Sequence, residues 1–244
     1  MYIAACTDLG KVRDGNEDGL LVLGSEVIAV ADGMGGHAAG EVASKQALET
    51  LKQRLVSETA KRYDEVSLQR MLTAAIVAAN HDVYELSKQD GYAGMGTTLT
   101  VARLEKERVT YAHVGDSRLY LYRDGSLQQI TTDHSLVAEM LRQGYLTEAE
   151  AAHHPRRNVI TRAVGTADEV KVDSDIFAWR PGDALLLCTD GLTTMLDDRR
   201  IEALFAQNLF QPEVLVRALI DGANAEGGKD NITVICAVNA GEQP

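Results

Sequence analysis

Cysteine, positive charge and long apolar runs are what this sequence has least of. Its three cysteines, Cys6, Cys188 and Cys236, form no C-x-x-C pair, and each lies in an apolar, strand-like run. That usage excludes a disulfide framework and a structural zinc site and points to buried free thiols. Lys and Arg number 24 against 36 Asp and Glu, a formal net charge of -12. Such a chain repels a phosphate backbone, which argues against nucleic acid as a partner. Its densest basic cluster, Arg156 and Arg157 beside His153 and His154, suits a small anionic group better than a polymer. No apolar run approaches a membrane span, and the opening "MYIAACTDLG" lacks the basic and apolar regions of a secretion signal. Repeats and low-complexity linkers are missing too. The expectation is a soluble, cytoplasmic, monomeric protein without a membrane partner, with one domain over 1–240 and a short tail over 241–244.

What is present is a dense set of strand and helix patterns. Apolar spacing predicts strands over 2–7, 20–23, 27–31, 97–104, 109–114, 119–123, 170–177, 184–188 and 232–238. It predicts helices over 40–55, 66–87, 135–143, 147–153, 201–207 and 212–226. The strands come mostly as neighbours, for example 109–114 and 119–123, which read as a hairpin around "GDSR". That order favours an α+β layered fold with antiparallel sheet.

Within it, "VIAVADGMGGHAAGE" over 27–41 sets one carboxylate, Asp32, at the mouth of a buried strand, followed by glycines and His37. The spacing of Gly33, Gly35 and Ala38 fits a dinucleotide-binding loop, but that loop needs a second parallel strand ending in an acid about 20 residues on. Here a helical pattern continues instead into "SETAKRYDE". A metal site is the competing reading, and other acids support it. Asp116 follows "YAHVG", Asp190 follows "LLLCT" and Asp230 precedes "NITVICAV", each where an apolar strand begins or ends. Taken singly, each is an ordinary turn former. Carboxylates repeatedly placed beside a core need a partner, the chain shows no matching buried cations, and all-oxygen ligation suits Mg²⁺ or Mn²⁺.

The motifs "RDGNED", "VADGMGGHAAGE", "GMGTT", "HVGDSRLY", "DHSL", "HPRRNVITRAVG", "CTDGL" and "GGKDNITV" occur in this order from about residue 7 to 238. In content and order they resemble the metal-dependent serine/threonine protein phosphatases of type 2C, in the short bacterial single-domain branch. The resemblance implies an antiparallel β-sandwich flanked on both faces by helices, a four-layer α-β-β-α arrangement. It implies hydrolysis of phosphoserine and phosphothreonine in proteins, with phosphorylated proteins and a cognate Ser/Thr kinase as partners.

Carried over residue by residue, Asp32 bridges two Mn²⁺ or Mg²⁺ ions and the Gly33 carbonyl binds one of them. Asp190 and Asp230 complete the second ion's ligands, Glu17 and Asp18 act directly or through water, and Asp116 holds a weaker third ion. Two ions about 4 Å apart acidify a shared water, which attacks phosphorus in line. Arg13 matches the phosphate clamp, its guanidinium gripping two oxygens at once. Relatives from eukaryotes carry a histidine directly after the bridging Asp-Gly; Met34 stands there in this chain, and His37 is a candidate either for general acid or for orienting a group behind the ligands. Gly94 to Thr98 is expected to shape the backbone under the site, and His113 to be a satisfied structural histidine.

Two alternatives compete with this reading. His113, Asp116 and Ser117 crowd one segment, but "GDSRL" lacks the strand-to-helix elbow of a serine hydrolase. A catalytically silent phosphoprotein-binding relative would be marked by loss of a ligand acid, and none is missing. Finally, 135–157 reads as a flap of two short helices broken at Gly144, beside the centre, with Arg142, Arg156 and Arg157 as substrate contacts.

Overall fold

The structure is a computed structural model and describes residues 1–36, 39–58, 61, 63–152 and 154–241. The chain opens with strands β1 (Tyr2–Asp8), β2 (Asp18–Leu23) and β3 (Val27–Met34), then two long helices, α1 (Ala39–Leu55) and α2 (Glu65–Ser87). Strands β4 (Gly96–Thr97), β5 (Leu99–Leu104), β6 (Arg108–Val114), β7 (Arg118–Arg123) and β8 (Ser126–Gln129) follow, before the short helices α3 (Leu136–Arg142) and α4 (Glu148–Ala152). The last third holds β9 (Asp173–Ala178), β10 (Ala184–Cys188), α5 (Asp190–Thr193), α6 (Asp198–Asn208), α7 (Pro212–Ala225) and β11 (Ile232–Val238).

Two antiparallel sheets result, ordered β1-β11-β10-β7-β8 and β2-β3-β5-β6-β9, with β4 paired to β3. Three apolar layers hold them. Val27, Ala29 and Ala31 of β3 face α1 and α2, where Ala43, Leu51, Leu72 and Ile76 are buried. Ile28 and Val30, on the opposite face of the same strand, meet Leu119, Leu121, Leu185, Leu187 and Ile235 between the sheets. Leu186, Cys188, Val234 and Cys236 pack outward against Leu215 and Leu219 of α7. The expected four-layer α+β sandwich is thus what forms. Because β3, β10 and β11 are covered on both faces, they read as continuous apolar runs rather than alternating ones. Among the described residues no helix is long and apolar enough to cross a membrane.

Several local expectations change. Strands β6 and β7 do not form a hairpin: they belong to different sheets, and "GDSR" carries the chain across the sandwich. Gly115, at φ 116°, makes that crossing, and a Cβ there would lie 2.5 Å from the Thr98 side chain. The strand expected over 97–104 breaks after Thr97, whose backbone pairs instead with Val164. β8 was missed because "SLQQ" is short and polar; its hairpin turn is Asp124-Gly125, both at positive φ. The one-turn helix α5 is too short to show a period, and β9 starts at Asp173 rather than 170.

The inter-sheet layer explains where a site can form. Its two-residue period runs through Leu20 on β2, Ile28 and Val30 on β3, Ala102 on β5, Leu185 and Leu187 on β10 and Ile235 on β11. Continued toward one end, that period reaches Asp18, Asp32, Thr98 and Thr100, Thr189, and Thr233. The same continuation gives His113 from β6 and Ser117 ahead of β7. The core is therefore apolar along most of its length and polar at one mouth.

Candidate active site

Asp18 and Asp32 stand directly opposite each other on β2 and β3. The Asp32 backbone is held from below by two threonines. Its N–H donates to Thr98 Oγ1 at 2.9 Å, and its carbonyl accepts from the Thr98 N–H and the Thr97 hydroxyl, both at 2.9 Å. This is the backbone support expected of 94–98. The Asp18 carboxyl is oriented by the Thr189 hydroxyl, which donates to its Oδ2 at 2.8 Å, and the Asp18 N–H donates to Asn16 Oδ1 at 3.1 Å.

Glycines let the acid-bearing segments touch. A Cβ on Gly33 would lie 2.1 Å from the Gly40 carbonyl oxygen and 2.6 Å from that of Glu17, and one on Gly191 would lie 1.9 Å from the Asn231 carbonyl oxygen. The Gly33 N–H donates to the Glu17 carbonyl at 3.1 Å. Residues 17–18, 32–33, 190–191 and 230–231 are pressed backbone to backbone, and Glu17, Asp18, Asp32, Asp190 and Asp230 share one mouth of the sandwich.

The electrostatics record that crowding. Burial, then the charges of Asp190 and Asp230, push the Asp18 carboxyl up to about 7 against the pull of the Thr189 and Thr233 hydroxyls. Burial followed by Asp230 raises Asp190 to about 6, although Asp32 shares a hydrogen bond with it. Asp32 itself is held well above the usual carboxylate range by burial and by Asp18, Asp190, Asp116 and Asp230. Asp116 rises to about 8 through burial, Asp190 and Asp133. Glu17 is raised chiefly by burial. One cation reaches in: Arg13 Nη2 donates to Asp230 Oδ2 at 2.7 Å. A buried cation does exist, contrary to the expectation from sequence, but it is Arg103, paired with Glu26 at 2.8 Å, and the part-buried Arg118 beside Asp116 is spent as well. Arg118 forks onto Asp133 at 2.8–3.1 Å and reaches the Tyr120 hydroxyl at 2.8 Å.

These residues fit a hard divalent ion. The donors are all oxygen, Asp116 Oδ1 is buried without a hydrogen-bond partner, and the acids' raised pKa values report uncompensated negative charge. Among the described residues no three His, Cys, Asp or Glu side chains form a complete ligand group. An ion here therefore needs backbone carbonyl and water oxygens beside the carboxylates, as Mg²⁺ commonly keeps.

The other candidates separate clearly. Ser117 is fully buried and bonds Thr98 at 2.7 Å, while His113 Nδ1 bonds the Thr100 hydroxyl at 2.8 Å, so no serine triad forms. His113 is only half satisfied, since its Nε2 is buried without a partner, and burial drives its pKa down to about 3. His37 lies outside the described residues. Beside the acids, a cleft of about 550 Å³ opens between α3, α4 and the α5–α6 segment, lined by Asp116, Asp190, Val137, Leu141, Met195 and Arg157, among others. Arg157 reaches this cleft; Arg142 and Arg156 are exposed outside its lining. Asn231, which bonds to Leu9, Gly15 and Glu17 beside this site, has no signal in the sequence beyond its place after Asp230.

Fold and site together define a class of protein: a helix-flanked antiparallel sandwich whose acid-lined mouth suits hard cations on oxygen ligands. The chain belongs to the protein phosphatase 2C family, whose model matches residues 16–222. It is 40% identical over 241 residues to the serine/threonine phosphatase stp of Listeria welshimeri, a match covering 96% of this chain and 94% of that one. A solved bacterial serine phosphatase superposes with a TM-score of 0.92 at 35% identity, each chain covered in full. The catalytic domain of the phosphatase PstP, solved in complex with two manganese ions, superposes at 0.84 with 37% identity over 96% of each chain.

Proposed function

We propose that this protein hydrolyses phosphoserine and phosphothreonine in other proteins, using Mn²⁺ or Mg²⁺, and opposes a Ser/Thr kinase in the cytoplasm. The observation that carries the reading is the gathering of Asp18, Asp32, Asp190 and Asp230 at one mouth with Arg13 on Asp230. Asp32, the Gly33 carbonyl, Asp190 and Asp230 would hold two ions, Glu17 and Asp18 would contribute directly or through water, and Asp116 would hold a weaker third. When bound, the ions supply Lewis acidity and an acidified water as nucleophile. The remaining work falls to the chain. Arg13 is half exposed and commits one N–H of Nη2 to Asp230, so its other N–H groups are available to grip phosphate oxygens. Phosphate release from phosphopeptides and para-nitrophenyl phosphate, with Mn²⁺ and after chelation, tests the reading. No release under any metal condition would leave silent phosphoprotein binding as the alternative.

Asp116→Ala should keep two tightly bound Mn²⁺ ions in calorimetric titration, lose the weak site and lower kcat roughly 10–100-fold. Unchanged activity at every Mn²⁺ concentration would make Asp116 a turn residue. For the flap, 135–157, the proposed role is contact with protein around the phosphoresidue. Exposed ion pairs are worth about 0.2–1 kcal/mol each, so replacing Arg142, Arg156 and Arg157 by alanine should cost roughly tenfold in kcat/KM on phosphopeptides and little on para-nitrophenyl phosphate. Arg157→Ala alone should account for most of it, because Arg157 lines the cleft. Equal losses on both substrates would tie the segment to the acid cluster instead.

A further inference from the structure

Arg13 sits on the loop over 9–17 that crosses from β1 in one sheet to β2 in the other, and residues 11–15 of that loop are exposed. An exposed crossing loop is a poor platform for a phosphate clamp unless something fixes both of its ends. One buried side chain does so. Asn231, at the start of β11 and only 5% exposed, donates from Nδ2 to the Leu9 carbonyl at 2.9 Å and to the Gly15 carbonyl at 3.0 Å. Its Oδ1 accepts from the Glu17 N–H at 2.9 Å. The entry and the exit of the loop are thus tied to a single amide more than 200 positions away in sequence.

The chemistry of the amide makes the staple specific. Two donors and one acceptor are all used, and the partners are two carbonyls and one N–H, so only one orientation of the side chain satisfies them. Aspartate has the same shape but would set an oxygen against the Leu9 and Gly15 carbonyls. Asn231 also governs the other half of the clamp. Its backbone N–H donates to Asp230 Oδ1 at 2.9 Å, while Asp230 Oδ2 accepts from Arg13. Each other tie holds one end or the middle: the Gly10 N–H donates to Asp8 Oδ1 at 2.9 Å, the Lys11 N–H to the Gly228 carbonyl at 2.7 Å and the Asn16 side chain to Thr7 Oγ1 at 2.9 Å, and the Glu17 carbonyl accepts from the Gly33 N–H at 3.1 Å and the Ser44 hydroxyl at 2.6 Å.

We infer that Asn231 is a positioning residue that sets Arg13 against Asp230 by stapling both ends of the 9–17 loop. The inference rests on the reading of Arg13 as the phosphate clamp. In the Mn²⁺-loaded enzyme, Asn231→Ala should raise the inhibition constant for inorganic phosphate about tenfold, matching the loss of one or two buried hydrogen bonds. Asn231→Asp should do the same, and it keeps the side-chain volume should the alanine variant fold poorly. In an Arg13→Ala background either change should add less than twofold, because the group it positions is gone. Hydrogen exchange of the backbone N–H groups over 9–17 should quicken in both variants while that of β11 stays slow. Full additivity with Arg13→Ala, an unchanged phosphate constant, or undisturbed exchange in the loop would each overturn the inference. If Arg13→Ala itself leaves phosphate inhibition unchanged, the clamp reading falls, and the exchange rates then decide alone whether Asn231 holds the loop.

Discussion

Asp32→Ala should lower phosphate release by at least about a thousandfold, the loss expected when a group central to transition-state electrostatics is removed, and should leave the protein folded. The reason for the second half is geometric. The bonds from Thr97 and Thr98 hold the Asp32 backbone, and its carboxyl shares a hydrogen bond with Asp190. Metal should stabilise the wild type through mass action and lose that effect in the variant, which a Mn²⁺ titration of Tm measures. Wild-type turnover by Asp32→Ala would sink the proposed mechanism.

The metal-free protein carries a pH signature of the same crowding. Asp190, Asp18 and Asp116 have folded-state values of about 6, about 7 and about 8, above the unfolded carboxylate value of about 3.9. Groups raised on folding contribute stability that is fully present below the unfolded value and lost as pH rises through the folded ones. Without metal, Tm should therefore fall as pH rises from about 4, where the unfolded carboxylates ionise, and level off above about 8, the highest of the folded values. Added Mn²⁺ should flatten the decline by neutralising the cluster. A Tm that rises across this range in chelator would contradict the burial of these acids.

Gly33→Ala should be strongly damaging. The added Cβ meets two backbones at once, the Gly40 carbonyl oxygen at 2.1 Å and that of Glu17 at 2.6 Å, and neither belongs to a flexible side chain. Overpacking of this kind costs about 3 kcal/mol, which for a chain of this size lowers Tm by roughly 6–12 °C. Relief by moving residues 17–18 away from 32–33 would also pull Asp18 from Asp32, so activity should fall with stability. Gly36→Ala is the control within the same "DGMGG" stretch, because nothing lies within 4 Å of its Cβ position among the described residues. It should change stability by less than about 0.5 kcal/mol. Equal tolerance of both substitutions would show that close backbone contact does not hold the site together.

The sequence by itself determined the chemistry of the site and the layers around it. Acids at the ends of apolar runs, with glycine after Asp32 and Asp190, needed no partner strand to be noticed. The doubly apolar runs of β3, β10 and β11 already implied strands covered on both faces. Strand pairing, by contrast, was decided only in three dimensions. Many strands share one apolar period, and that period does not say which two lie side by side or in what register. Hence "GDSR" looked like a hairpin although it crosses between sheets, and the pairing of Arg118 with Asp133 had no sequence signal. Asn231 was invisible for the same reason. Its bonds to Leu9, Gly15 and Glu17 exist because β1 lies against β11 with Asp8 opposite Ile232, a register set by tertiary packing and not by any local pattern around either residue.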